Sequence, residues 1–509
     1  MPNFTPTDEQ KAIVAAASTT RANLMVTAYA GCAKTTTLEL IAAALPRDQA
    51  ALALAFNVKI KKELERRFPS NFTILTLNGL GHRAWQKAIG PRIKLDAEKL
   101  SRLLRDALKR HDIRGGDAWS TVRQLVTMAR QSGLIPREFP HKGLLIDTPE
   151  SWDSLASDNW IAATPQHLAI AREVLVLSVT EAFQGIIDFD DQIYMSTMFN
   201  GVFPRFGLVM VDEAQDLSPL NHIQVARSAI DRLIVVGDPK QAIYAFRGAD
   251  SASMGKLREL RANWIDLPLA TTFRCPKVVV ARQQEHAPGF RAWHTNPAGQ
   301  VFSWFTQETK TWTWDSLQKQ SPTDSLAILC RNNAPLLAMA FALLRQRVGV
   351  VMLGRDIGKS LIALSKKILP DDTTPSAEAR RMVEDWIQTE TSAAIMASKE
   401  ERVAQITDRG ECLLAVLEWT DSAGGLRAAL EELFSRETGK VTLATGHRAK
   451  GLEWDTVVHL DPWRVPSRQA RQALQNGNPI PMEQDLNLRY VIETRAKTKL
   501  ILANREDFQ

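Results

Sequence analysis

Cysteine is scarce and scattered: the 509 residues hold four, Cys32, Cys275, Cys330 and Cys412, and no two form a CxxC pair. That spacing argues against a zinc site, an iron–sulfur cluster or a disulfide framework, and suits reduced intracellular thiols. Long apolar runs are missing as well. The longest, APLLAMAFALL at 334–344, is too short for a bilayer core, which needs about 20 residues. The opening MPNFTPTDEQ lacks the basic-then-apolar pattern of a secretory signal. Repeats and low-complexity segments are absent too. The expectation is a soluble, cytoplasmic protein with no membrane association. Charge of either sign is not extreme: a net charge of +6 and a pI near 9.1 permit a nucleic-acid partner without requiring one. The length exceeds what one core serves and suits two to four domains.

What is present begins with NLMVTAYAGCAKTTTLELIAAAL, an apolar strand, a tight loop and a helix. In such a phosphate loop, backbone N–H groups and the helix N-terminus cradle phosphates, Lys34 neutralises their outer charge, and the Thr35 hydroxyl binds Mg²⁺. A second apolar strand ends in Asp212-Glu213; Asp212 supplies the metal's hard carboxylate and Glu213 the base for a polarised water. An acidic pair after a strand is in isolation a solvated turn; following a P-loop in this order it reads as the second half of a Mg–nucleotide triphosphatase. The nucleotide is expected along Ala28, Tyr29, Ala30, Gly31, Cys32, Ala33, Lys34, Thr35 and Thr36. Ala28 and Ala33 stand where glycines are usual, leaving Gly31 the backbone freedom. With the other elements intact, Ala33 is expected to keep an ordinary negative φ at no cost.

Along the chain, strands and helices alternate through NLMVTA, ALALAF and FTILTL, the pattern of a parallel sheet with ligands at its strand C-terminal ends. From about Trp85 helical periodicity takes over, and strands resume at FGLVMVD and RLIVVGD. A second alternating region starts at QVFSWFT, gives way to a smaller helical stretch, and ends with KVTLAT, DTVVHLD and KLILA. The expected fold class is α/β, two motor domains with parallel sheets, each interrupted by a helical insertion. The first domain takes 1–84 and 186–275 around an insertion at 85–185; the second takes 276–355 and 440–509 around an insertion at 356–439. No additional C-terminal nuclease domain is expected.

Further strings follow in order: TPTDEQKAIV, VGDPKQAIYAFRGAD, TTFRCP, ATGHRAKGLEWDTVV and NLRYVIETRAKTKL. This series resembles the UvrD/PcrA/Rep group of superfamily 1 DNA helicases, and its last string is also similar to the F-box DNA helicases. The resemblance covers the chain outside the helical insertions and implies two RecA-like domains that use ATP and Mg²⁺ to move along single-stranded DNA and act at duplex junctions, with 3′→5′ polarity from the AKGLEW string. It implies a setting in replication, recombination or repair, alongside proteins of those processes, and fits a compact viral or mobile-element genome.

Site residues carry over from the resemblance position by position. Gln10 would read adenine with a side-chain amide that donates and accepts at once; its ordinary alternative is a cap on the first helix. Phe273 would stack on the base. Arg274 and Arg495 would present forked donors to the γ-phosphate, Gln241 would sense that phosphate, and Glu453 would serve the nucleotide sugar or its surroundings. The polynucleotide would meet Phe56, Asn57, Thr76, Asn78, Tyr244, Phe246 and Arg247 from the first domain and Thr445 and His447 from the second, by stacking and short polar contacts. DFDDQIYM at 188–195 is read as structural, with no metal. Lys59, Lys61, Lys62, Arg66 and Arg67 form a basic helix that either tracks phosphates or is a solvated face. Two other readings stay open: an ATP-gated DNA-binding module with weak turnover, and an RNA-directed motor.

Overall fold

The computed structural model describes residues 5–113, 116–140, 142–158, 161, 163–243, 253–306, 311–321, 325–396 and 400–509. The chain divides into two compact units, Met1–Ala28 with Ala33–Leu269, and Tyr29–Cys32 with Ala270–Gln509. Phe273 and Arg274 therefore belong to the second unit, as does the first half of the phosphate loop.

In the first unit, β1 (Asn23–Ala28), β2 (Ala51–Ala55), β3 (Phe72–Thr76), β4 (Phe206–Val211), β5 (Ala229–Gly237) and β6 (Trp264–Leu269) form one sheet in the order β6-β1-β5-β4-β2-β3. Every neighbouring pair is parallel. Such a sheet is buried on both faces, so its strands are near-continuous apolar runs; all five residues of ALALA are buried. The strand β6 has no counterpart in the sequence reading. Among the described residues it pairs only with β1, and its sequence WIDLPL carries Asp266 and Pro268 with an alternating, half-buried pattern. Those residues mark an edge strand, where a missing N–H and a charge are tolerated.

The excursion between β3 and β4 is helical, with helices Lys99–Arg110, Gly116–Gln131, Pro149–Asp158 and Pro165–Phe183. It builds its own core from Trp85, Leu104, Val122, Val174 and Tyr194. Inside that core the Asp188–Asp191 string does structural work. The Lys99 ammonium lies 2.6 Å from Asp191, both fully buried, and Arg130 lies 2.8 Å from Asp188. Asp188 also caps helix Phe189–Met198 by accepting from Asp191 N–H. Two of the acids are thus committed to cations on other helices, which ties the excursion to helix Phe189–Met198, the helix that precedes β4.

The second unit repeats the architecture. The strands β7 (Gln300–Ser303), β8 (Leu326–Cys330), β9 (Val350–Met352), β10 (Val441–Thr445), β11 (Trp454–Leu460) and β12 (Ala496–Ala503) order as β7-β12-β11-β8-β10-β9, again parallel throughout. Its excursion, helices Arg355–Ile368, Ser376–Met396, Glu400–Leu417 and Ala423–Ser435, has no separate core. Val383, Leu413, Leu426 and Leu430 share one apolar cluster with Leu326, Ile328, Val441 and Leu443 of the sheet. No described helix in either unit is long and apolar enough to cross a membrane.

Removing one partner of a buried ion pair strands the other. Lys99→Met is expected to destabilise the first unit by about 3–5 kcal/mol, measured as a lowered midpoint in urea unfolding of the full chain.

Candidate nucleotide and nucleic-acid sites

Parallel strands deliver their following loops to one sheet edge. In the first unit β1, β4 and β5 are neighbours, so the residues just beyond them converge. The Lys34 ammonium donates to Glu213 Oε2 at 2.7 Å. Gln215 Nε2 donates to the same oxygen at 2.7 Å, and Gln215 Oε1 accepts from the Asp238 N–H at 2.8 Å. Gln241 Nε2 donates to Asp238 Oδ2 at 2.6 Å. Burial opposes the charge on Lys34, but Glu213, Asp238 and Asp212 outweigh it and hold its pKa above the ordinary value. Burial, with Glu213 as a like-charged neighbour, pushes the Asp212 carboxyl well up, and burial pushes Asp238 up to about 6. Three carboxylates around one ammonium leave this edge short of positive charge. Oxygen donors with a negative balance suit a hard divalent cation such as Mg²⁺; Asp212 and the Thr35 hydroxyl are the donors proposed to hold it.

Gln10 is engaged within this unit through one acceptor site and one N–H of its amide. Its Oε1 accepts from Thr7 N–H at 3.0 Å in a capping box, and its Nε2 donates to Thr37 Oγ1 at 3.0 Å. The structure thus puts Gln10 in the capping role, with its amide one turn along the helix that Lys34 opens.

In the second unit, Gly31 turns with φ +71°, and a Cβ there would lie 2.5 Å from Arg274 Cβ and 2.6 Å from Thr272 Oγ1. Only glycine lets these backbones approach so closely. The Gly31 carbonyl accepts from Phe273 N–H at 2.9 Å, and the Ala30 N–H donates to the Tyr490 hydroxyl at 2.8 Å. Arg274 Nε donates to Glu453 Oε2 at 2.6 Å. Arg495, 1% exposed, is held by the carbonyls of Val491 and Leu452. Arg274, Glu453 and Arg495 lie close enough to the buried Cys275 thiol to act on it, although burial is the main reason its pKa is raised. Phe273 sits 5.3 Å from the Trp293 ring at a 43° tilt. The second unit therefore gathers Phe273, Arg274, Glu453 and Arg495.

The nucleic-acid candidates occupy strand ends too. Ala55 and Thr76 are register partners at the C-terminal ends of β2 and β3, so Phe56-Asn57 and Thr76-Asn78 emerge side by side. Phe56 is exposed; Asn57 and Thr76 cap the helices that follow, accepting from Ile60 N–H at 2.9 Å and Gly79 N–H at 3.0 Å, and Asn78 donates to the Phe189 carbonyl at 2.8 Å. Thr445 ends β10 and His447 follows two residues on, in the short helix Gly446–Ala449. Glu453 and Arg495 instead precede β11 and β12, whose first residues Trp454 and Ala496 pair, so the two groups sit at opposite ends of the second sheet. Tyr244, Phe246 and Arg247 lie outside the described residues.

Residues 158–260 match the UvrD/REP helicase N-terminal domain, and residues 377–507 match the UvrD-like helicase C-terminal domain. Two stretches of the chain are thus similar to the two halves of a UvrD-like helicase. Among curated relatives, F-box DNA helicase protein 1 of Schizosaccharomyces pombe is 24% identical over 97% of this chain and 57% of its own length. ATP-dependent DNA helicase UvrD2 of Mycobacterium tuberculosis is 26% identical over 59% of this chain and 47% of its own. RecBCD enzyme subunit RecB of Mycolicibacterium smegmatis is 34% identical over 23% of this chain and 12% of its own. This UvrD-like chain thus spans about half the length of the first two and far less of the third.

One expectation is corrected. Ala33 does not keep a negative φ; it adopts φ +56°, ψ +46°, the left-handed region, as N-cap of helix Lys34–Ala44. The loop needs that turn to aim the following amides, and a methyl group there costs about 1–2 kcal/mol relative to a relaxed backbone. Gln215 and Asp238 were not singled out from the sequence, although the network runs through both. A signal existed: Asp238 follows β5 directly, just as Asp212 follows β4. Glu493 was also missed. It is buried two residues before Arg495 and accepts from Arg282 Nε at 2.7 Å and Gln283 Nε2 at 2.5 Å, with His459 Nδ1 3.2 Å away.

Ala33→Gly should relieve the left-handed strain and stabilise the protein by about 1 kcal/mol after the extra chain entropy of glycine is subtracted, measured by chemical denaturation. Burial works against the Glu493 charge, but His459 and Arg282 prevail and hold its pKa down to about 2, below the ordinary 4.5. A depressed carboxylate stabilises fully above its unfolded pKa and loses that contribution as pH falls toward the folded value. Glu493→Gln is therefore expected to lower the melting temperature at neutral pH and to flatten its decline between about pH 4.5 and about pH 2, read from thermal melts.

Proposed function

We propose that this UvrD-like chain is an ATP-dependent DNA helicase or single-strand translocase that couples Mg-ATP hydrolysis to 3′→5′ movement in replication, recombination or repair. The observation that carries the reading is the first sheet's edge. The Lys34–Glu213–Gln215–Asp238–Gln241 network lies beyond β1, β4 and β5, and Phe56, Asn57, Thr76 and Asn78 lie beyond the adjoining β2 and β3. A change at the phosphate end is therefore one strand away from the polynucleotide end.

In this reading Lys34 binds the β- and γ-phosphates, and its pairing with Glu213 is exchanged for phosphate when nucleotide enters. Released, Glu213 accepts a proton from the attacking water. Thr35 and Asp212 would hold Mg²⁺, which would supply charge neutralisation for the triphosphate. Gln241 is placed to feel loss of the γ-phosphate through Asp238. The guanidiniums of Arg274 and Arg495 stabilise the charge of the transferring phosphoryl group, which requires that they reach the same triphosphate in the closed state, and Phe273 stacks on the base. Polarity rests on the AKGLEW resemblance, and the replication, recombination or repair setting on the resemblance of the whole motif series.

Single-stranded DNA should strongly stimulate ATP hydrolysis, and Glu213→Gln should lower kcat by about 10²–10⁴-fold in a steady-state assay with and without oligonucleotide. Strand displacement on tailed duplexes should proceed from a 3′ tail; displacement of only the 5′-tailed duplex reverses the polarity. Equal stimulation by RNA points to the RNA-directed motor, and nucleotide binding without DNA-stimulated turnover to the gated module.

A further inference from the structure

Helix Val58–Arg67, which leaves β2 directly after Phe56-Asn57, breaks a rule of helix electrostatics. The N-terminus of a helix carries partial positive charge, so cations in the first turns are unfavourable by about 0.3–1 kcal/mol each. Here Lys59, Lys61 and Lys62 all lie in the first half, with no acidic residue in the first turn. Two of the helix's cations are compensated locally: Lys61 lies 3.1 Å from Glu65, and Arg67 lies 3.1 Å from Glu63. The other three are not. Lys59, Lys62 and Arg66 are exposed, and none has a carboxylate partner among the described residues. Their spacings of three and four put them on one helical face, and with Glu63 and Arg67 they line a shallow concavity.

A destabilising concentration of like charge with no partner inside the fold is the mark of a surface kept for an external anion. We propose that Lys59, Lys62 and Arg66 form a phosphate-backbone track that takes the nucleic acid onward from Phe56 and Asn57. The inference rests on the DNA-motor reading above. A polynucleotide is the fitting occupant, because three cations recurring at one helical turn match a chain of regularly spaced phosphates and because the face begins at the strand end that carries the candidate base-stacking ring. The helix dipole adds to the same field, and anion binding removes the lysines' mutual repulsion. Such contacts carry affinity and salt dependence without sequence preference.

The test measures the affinity of the full chain for a fluorescent single strand over a range of salt concentrations. Each phosphate contact contributes about 0.7 to the slope of log K against log salt for single strands. The triple variant Lys59→Gln, Lys62→Gln, Arg66→Gln should flatten that slope by about 2, and Lys62→Gln alone by about 0.7, so the single variant decides if the triple one folds poorly. A matched triple, Lys319→Gln, Lys366→Gln, Arg381→Gln, removes the same charge from exposed positions of the second unit and should leave the slope near wild type. An unchanged slope in the basic-face variants, or equal flattening in the matched triple, overturns the proposal. If wild type itself neither binds single strands nor is stimulated by them, the DNA-motor reading fails instead. A blunt duplex as a second ligand tells whether the track follows a single strand or the duplex ahead of it: loss confined to the duplex, with the single-strand slope unchanged, overturns the single-strand track.

Discussion

One ammonium among three carboxylates is the constraint on which the first unit's site turns. Lys34 is drawn to Glu213 at 2.7 Å, with Asp212 and Asp238 close enough to raise its pKa. Buried carboxylates with a single cation between them are an unfavourable set. They remain together because the strands beneath them leave no alternative: β1, β5 and β4 are adjacent and parallel, and their ends cannot separate without breaking the sheet. A site held short of positive charge by its scaffold suits a ligand that brings its own cation, as the proposed Mg-nucleotide would.

The same topology accounts for the division of labour along the sheet. Strands β2 and β3 lie on one flank of the phosphate-side strands, so whatever they present shares the edge but not the network. In the second unit the geometry inverts. Thr445 and His447 stand at a strand's end, whereas Glu453 and Arg495 stand at strand beginnings. A strand, some 3.3 Å per residue and stiff in its ladder, separates the two groups.

The helical excursions obey different physics. The first closes around its own apolar cluster and is pinned by Lys99, Arg130, Asp188 and Asp191, so within the first unit it has a core distinct from that of the sheet. The second melts into the core of its sheet. Replacing its apolar residues would be felt by the strands that carry Thr445, whereas the first excursion can vary more freely so long as its ionic cluster is kept.

Much of this was legible in the chain itself. Apolar runs such as ALALA and LAILC read as parallel strands because burial on both faces leaves them no polar side, and the motif order announced the phosphate loop and its acidic partner. Local chemistry determined those features, since propensity and patterning act within a few residues. Tertiary structure alone decided the rest. WIDLPL becomes a strand only because β1 offers an unpaired edge, and Ala33 takes a left-handed turn because the loop's path between β1 and its helix dictates φ. Gln215, Asp238 and Glu493 matter through partners up to 211 residues away, as in the Arg282–Glu493 pair. No local pattern encodes such distances, because the energy of a buried charge depends on what the fold brings to it.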